Sequence, residues 1–424
     1  MRVTSPVAQI LPIRAPNRLE GLDTLRGLAA VFVLLLHAGI PYMVVPIPHI
    51  AWPARDPHPS AIVDGLTWCS ECFLMCLFFL MAGFFSQAMI RSQGAAQFLA
   101  GRTNRLLKPQ IAAGFAVLPV LLVIWSLGWV ADGIYVPENI MNKGLPPEIE
   151  ADVYGVAHLW FMQNLYIYSL ILFGIQTWLS RPRSEDSAVA RFQGTFGRMV
   201  DRIVSSAWKP LLPAIPCALI LYFDPRVVLG FYQGYIPALT KLAYYCIYFF
   251  VGTALNRHSE SVHNHGRHGI KYLAVAGILF AVMLPQIHEC VTQGMTDSRL
   301  AVLCGMMALF GATTTFGLFA LFLGTIQRGN AITRYLAEAS FWVYLVHLPF
   351  VGLTHIALAQ TSMPTIAKFC IAGITALGLS LASYQVFVRR TSLGAFLNGT
   401  RPKSAAATET SQPAITPTPL KVSA

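Results

Sequence analysis

Ten stretches of this chain are apolar over the length of a hydrocarbon core, and no polar stretch between them is long enough to form a core of its own. They lie near 22–45, 67–90, 109–130, 158–180, 210–223, 238–255, 271–288, 300–325, 335–357 and 365–388. In lipid, every backbone N–H and C=O must find a partner inside the protein. The expected fold is therefore all-α, a polytopic membrane bundle of about ten transmembrane helices. Composition agrees, with 55% hydrophobic and only 12% charged residues. The fifth stretch, within "KPLLPAIPCALILYF", is the shortest and is rich in proline. The first run lacks a small-residue cleavage site and is read as a retained helix rather than a leader.

Charge distribution orients the bundle. If the spans alternate from the N-terminus, the side holding both termini carries 24 of the 30 Lys and Arg residues and eight of the 19 acidic residues. The opposite side carries Arg55, Lys143, Arg226, Lys241, Arg299 and Lys368 with eleven acids. Net charges of +16 and −5 follow the positive-inside rule, so both termini are expected in the cytoplasm. The overall +11 is thus a topology signal and implies no nucleic-acid partner. Residues 1–21 read as a cytoplasmic segment, 22–390 as the membrane domain and 391–424 as a disordered tail. The "NGT" at 398–400 lies on that tail, where glycosylation is not expected. The basic inward loop 181–209 has room for an amphipathic surface helix, and the outward loop 131–157 is acidic and rich in turns.

The first span, "GLDTLRGLAAVFVLLLHAG", carries Arg26 near its cytoplasmic end and His37 past its middle. Eleven residues are close to three full turns, so both project from one face, about 16 Å apart. Such groups are costly in hydrocarbon. An Arg at the cytoplasmic mouth suits a phosphate-bearing ligand, and a deeper His suits proton abstraction. Arg26 snorkelling beside Asp23, and His37 in a plain interhelical hydrogen bond, are the structural alternatives.

Other polar groups recur at membrane depth. "GRTNRLLKP" places Arg102, Arg105 and Lys108 at the cytoplasmic side, as simple anchors or as a clamp for an anion. "ASFWVYLVHLPF" carries Ser340, Tyr344 and His347 on related helix faces. "HLWFMQNLY" opens the fourth span with His158 and Trp160, and Gln163 and Asn164 follow one turn deeper. Glu71 lies in the outer half of the second span, to orient a histidine or face a vestibule. Trp52, Trp68 and Trp160 are rings on which a sugar can stack. Cys69, Cys72 and Cys76 form one helix stripe, read as small residues for close packing. His258, His263, His265 and His268 fall in "NRHSESVHNHGRH" without supporting carboxylates or thiolates, and no metal is expected.

Taken together, these pieces resemble the acyltransferase 3 family of integral membrane proteins. The likeness rests on the Arg–ten residues–His spacing of "LDTLRGLAAVFVLLLH", on "FFLMAGFFS", on "RTNR" and on "SFWVYLVHLP", in that order over residues 18–390. Family members often have serine before the glycine of the second motif, where this chain has Ala82, and no role is assigned there. "HLWFM" with the late helix looks most like the glucan-modifying branch, the succinyl transferases of periplasmic glucans. The resemblance implies a helical channel in the bacterial inner (cytoplasmic) membrane. Acyl-CoA would enter as co-substrate from the cytoplasm, with no permanently bound cofactor. The acyl group, acetyl or succinyl, would pass to a hydroxyl of a glucan or other polysaccharide on the outer side. By the same resemblance His37 is the catalytic base. Arg26, Arg102 and Arg105 handle the donor's phosphates or shape its entry, and Tyr344 and His347 support the site. From their own positions, Lys108 joins the donor group, and Glu71, His158 and Trp160 join the supporting residues. The chain has no G-x-S-x-G elbow, which argues against a serine hydrolase. A multi-pass transporter or flippase remains the alternative, and a non-catalytic subunit of an envelope assembly a more distant one.

Overall fold

The computed structural model describes residues 19–133, 155–181, 195, 197–200, 202–257, 268–326 and 328–397. Every described element is helical, and no strand is present among these residues. The principal helices are α1 (Glu20–Gly39), α2 (Ala61–Gln93), α3 (Ala95–Arg102), α4 (Lys108–Ala131), α5 (Trp160–Leu179) and α6 (Leu211–Phe223). They continue with α7 (Leu239–Arg257), α8 (His268–Gln293), α9 (Asp297–Thr325), α10 (Ala331–Ala359) and α11 (Thr365–Ser383). Each of the ten expected stretches contains one of these helices. Seven segments among the described residues are long and apolar enough to cross a membrane unaided, with α3 and α4 running on as one of them. The remaining three are α5, α6 and α7. Helix α6 has 13 residues, about 20 Å at 1.5 Å per residue, and falls short of a full hydrocarbon core. Helices α5 and α7 are 20 and 19 residues long and carry polar groups such as Gln163, Asn164 and Lys241. The protein is a multi-pass helical bundle, and the count of ten spans rests on the charge alternation.

Small residues set the closest helix contacts, as they do where lipid supplies no hydrophobic drive between helices. A Cβ on Gly83 of α2 would sit 1.8 Å from the Phe249 carbonyl oxygen of α7, and one on Gly252 of α7 would sit 2.0 Å from that of Leu80. These two backbones touch because neither position carries a side chain. The Cys72 and Cys76 side chains are buried in the same region, and Cys76 Sγ lies 3.9 Å from the Tyr244 hydroxyl. Gly27 lets α1 approach the backbone of α10 at Ala337.

One irregular segment, residues 43–60, crosses the end of the bundle that the charge pattern assigns outward, here called the outer end. Side chains from four helices or their ends hold it. Asp64 of α2 accepts the N–H groups of Val44 and Val45 at 2.9 and 3.0 Å, and His288 of α8 reaches its other oxygen at 2.7 Å. Trp129 of α4 donates to the Ala51 carbonyl at 3.2 Å, and Asp132 after α4 accepts the Arg55 N–H at 3.1 Å. His355 of α10 holds Trp52, and Lys368 of α11 pairs with Asp56 at 2.6 Å. The strap stays in place because its polar groups find these partners rather than water.

The Lys368–Asp56 pair is 3% exposed on both sides, so removing one partner strands a buried charge. Lys368→Met is expected to cost about 3–5 kcal/mol of stability. Thermal unfolding in detergent will read this as a lower midpoint, and Asp56→Leu combined with Lys368→Met should recover most of it. Equal losses in the single and double variants would disprove the uncompensated-charge account.

Of the inward loop 181–209, residues 197–200 and 202–204 are helical and about half of the loop lies outside the described residues, as do His258, His263, His265, the "NGT" and most of the outward loop 131–157.

Candidate active site: a histidine pair on an outer cavity

Helices α1, α2, α4, α5, α7 and α10 leave a cavity between their outer halves, roofed in part by the strap. It holds about 1240 Å³ of empty space, its open mouth included, and is lined mostly by apolar side chains. Its polar lining comes from residues far apart in sequence, among them His37, Glu71, His158, Lys241 and Tyr344. Alternating helix direction explains the gathering. Late positions on upward helices and early positions on downward helices reach the same end.

His37 is the best-defined group on this wall. Its Nδ1 lies 2.8 Å from the Val33 carbonyl oxygen and 3.2 Å from Nε2 of His347. His347 Nδ1 meets the Val343 and Tyr344 carbonyls at 3.0 and 2.8 Å. A ring nitrogen facing only carbonyl oxygens must carry the hydrogen. The Nε2 of His347 is then a lone pair, and His37 Nδ1, placed between that lone pair and a carbonyl, is the donor. This assigns the remaining lone pair of neutral His37 to Nε2, the nitrogen left for a cavity ligand. The pair resembles the base and orienter of an acyl-transfer site, with an imidazole rather than a carboxylate behind the base.

Proline 349 arranges the next member. It has no N–H and cannot bond the carbonyl four residues earlier, so the Leu345 oxygen is released from the α10 ladder. That oxygen accepts His158 Nε2–H at 3.1 Å. His158 Nδ1 is left as a buried lone pair without a hydrogen-bond partner in the structure. The Tyr344 hydroxyl donates to the His158 carbonyl at 2.5 Å, tying the start of α5 to α10. The His158 and His347 rings meet edge to face at 5.6 Å.

Trp52 closes the other side. Its ring stacks nearly parallel to His37, at 17° and 6.1 Å between centroids. Its Nε1–H donates to His355 Nδ1 at 2.9 Å, and His355 Nε2 in turn donates to the Ala38 carbonyl at 3.2 Å. Ala38 is in the last turn of α1, where carbonyls lack helical partners. His355 therefore ties the strap tryptophan to the helix end that carries His37.

The far wall carries Glu71 of α2 and Lys241 of α7. Lys241 is 8% exposed, and its Nζ donates to the Tyr232 carbonyl at 3.2 Å and lies 3.9 Å from the centre of the Trp160 ring. Both side chains line the cavity.

Of the residues singled out from sequence, His37, Glu71, His158, Trp160 and Tyr344 line the cavity, and His347 stands directly behind His37. Glu71 bonds no histidine among the described residues and faces the cavity, the second of the two readings given above. Trp68 is fully buried and donates to the Val45 carbonyl, so it offers no sugar platform. Trp160 spends one ring face on Lys241. Gln163 donates to the Tyr235 carbonyl, and Asn164 is buried outside the cavity lining. Ser340 donates to the Ala337 carbonyl of its own helix.

The basic residues form a separate group. Arg26 sits three turns below His37, paired with Asp23 at 3.1 Å and donating to the Ala337 carbonyl at 3.2 Å. Arg102 donates to Ser86 Oγ at 2.8 Å and stacks on Phe98, leaving its buried Nε without a hydrogen-bond partner. Arg105 and Lys108 are exposed at the same end of the bundle. None of the four lines the outer cavity. Among the described residues no three His, Cys, Asp or Glu side chains converge as metal ligands. Sequence reasoning passed over Lys241 and His355. The only signal for either was its presence in an otherwise apolar span.

A family model described as an acyltransferase domain matches residues 19–385, nearly the whole of the described bundle. No curated protein and no solved structure matches the chain.

Proposed function

The chain belongs to the acyltransferase 3 family of membrane O-acyltransferases, and from that premise we propose that it moves an acyl group from cytoplasmic acyl-CoA to a hydroxyl of a glucan or related polysaccharide at the outer face of a bacterial inner membrane. The observation that carries the reading is the His37–His347 pair, which leaves a histidine lone pair on an outward cavity. The same family membership sets aside the transporter alternative.

An acceptor hydroxyl in the cavity gives its proton to His37 Nε2 as its oxygen attacks the thioester carbonyl. His347 Nε2 accepts the hydrogen bond from His37 Nδ1 and keeps the ring in the orientation that aims Nε2 at the substrate. The tetrahedral intermediate collapses with cleavage of the C–S bond. The departing thiolate takes the proton from His37, and an ester and free coenzyme A result. At the opposite end, Arg26, Arg102, Arg105 and Lys108 supply positive charge for the donor's phosphates. Arginine in that role favours bidentate contacts that lysine cannot make. Acetyl and succinyl are the two acyl groups proposed for the donor, and the motif "HLWFM" supports the glucan-modifying branch.

The test is direct. Purified protein in detergent, given acetyl-CoA or succinyl-CoA, is expected to release free thiol in proportion to added neutral glucan. The donor giving glucan-dependent release identifies the acyl group. Binding of neither thioester by well-folded protein would overturn the proposal.

A further inference from the structure

The lining of the cavity that holds His37 also combines two opposite charges. Glu71 and Lys241 come from different helices, α2 and α7, and both line the cavity. Lys241 has three N–H donors. One meets the Tyr232 carbonyl, and the ammonium lies against the Trp160 face. The residue lines the cavity, so its other donors are open to a ligand there. Among the described residues no hydrogen bond holds the Glu71 carboxylate, although a carboxylate offers about four acceptor sites. A carboxylate left without donors in a half-buried site is costly, so it calls for ligand hydrogens.

The sign of the two charges restricts what those hydrogens belong to. An anionic ligand gains from Lys241 and loses comparably to Glu71. A cation faces the reverse. A hydroxyl serves both, because it donates to the carboxylate and accepts from the ammonium. The aromatic lining adds apolar ring faces, with Trp52, Trp125 and Phe231 on the same cavity. Rings beside a carboxylate and an ammonium suit a molecule that is hydroxylated at its edges and apolar on its faces.

We infer that Glu71 and Lys241 form a charge-balanced subsite that selects an uncharged, hydroxyl-rich acceptor and discriminates against carboxylated or phosphorylated ones. The inference rests on the transfer reading above and adds to it the electrical class of the acceptor. Glu71 and Lys241 act on specificity. Neither takes part in the proton transfers.

The experiment measures one ratio, kcat/KM for a neutral glucan oligosaccharide over kcat/KM for its counterpart oxidised to carboxylates. A ratio is insensitive to the fraction of each preparation that is folded. The wild-type protein is expected to prefer the neutral acceptor. Glu71→Gln leaves Lys241 as the only charge and should move the ratio at least about 10-fold toward the carboxylated acceptor, as loss of a charge-assisted contact typically does. Lys241→Met leaves Glu71 alone and should move it the other way. A ratio unmoved in both variants, or moved in the same direction by both, overturns the inference and leaves the transfer reading standing. A wild-type protein that releases no thiol with either acceptor overturns the two together.

Discussion

Replacing His37 by alanine is expected to lower acyl transfer about 10²- to 10⁴-fold, the usual cost of removing a general base. The fall should appear in kcat. Thioester binding should hold, because the basic residues lie at the other end of the bundle and none of them lines the cavity. The substitution deletes an imidazole whose ring meets His347 and stacks on Trp52, so the cavity wall loses volume as well as chemistry. His37→Gln separates the two effects. It keeps most of the volume and a hydrogen-bonding end but cannot take up the proton, so it should be as inactive as alanine. Thiol release by His37→Gln at wild-type rate, with glucan present, would refute the base assignment.

The second large effect concerns His347, which touches no cavity surface. Its Nε2 accepts from His37 Nδ1 at 3.2 Å, and this contact selects which nitrogen of His37 holds the lone pair. His347→Phe removes the acceptor and keeps the ring. Without it, His37 is free to exchange tautomers and rotate, and transfer should drop by up to about 10⁴-fold, by analogy with orienting groups in other acyl-transfer sites. Acceptor KM should change little, since the cavity lining is intact. His347→Gln can present a side-chain carbonyl oxygen near the same point and should recover part of the loss. Equal rates in His347→Phe and His347→Gln would show that the residue serves packing alone.

The strap explains why this pair is held so firmly. Trp52 lies in a segment without regular structure, yet it stacks on a residue of α1. The geometry survives because Asp64, Trp129, His355 and Lys368 each fasten a different part of that segment. Asp64 follows the segment closely, whereas Trp129, His355 and Lys368 are 78, 303 and 312 residues from the groups they hold. Pro349 contributes in the same manner. In sequence it reads as a break after a histidine, whereas in space it frees the one carbonyl that positions His158.

Hydropathy and charge alone placed the spans, because burial in lipid requires long apolar runs and the positive-inside bias is a property of loops counted along the chain. The spacing of Arg26 and His37 on one helix face was equally legible, since it depends only on helical periodicity. The fifth stretch was legible as the shortest in the same way, and α6 has 13 residues. Hydropathy could not distinguish Trp68, which is fully buried, from Trp52, which lines the cavity. Lys241 was hidden for a comparable reason. A single lysine near a span end reads as a snorkelling anchor, and only the approach of α2 and the Trp160 face makes it part of a site. Residue order suffices to show a helical membrane bundle with a histidine deep in its first span. That His347 stands behind this histidine and Trp52 beside it emerges on folding, because contacts between helices depend on packing and on partners as far away as His347, 310 residues along the chain.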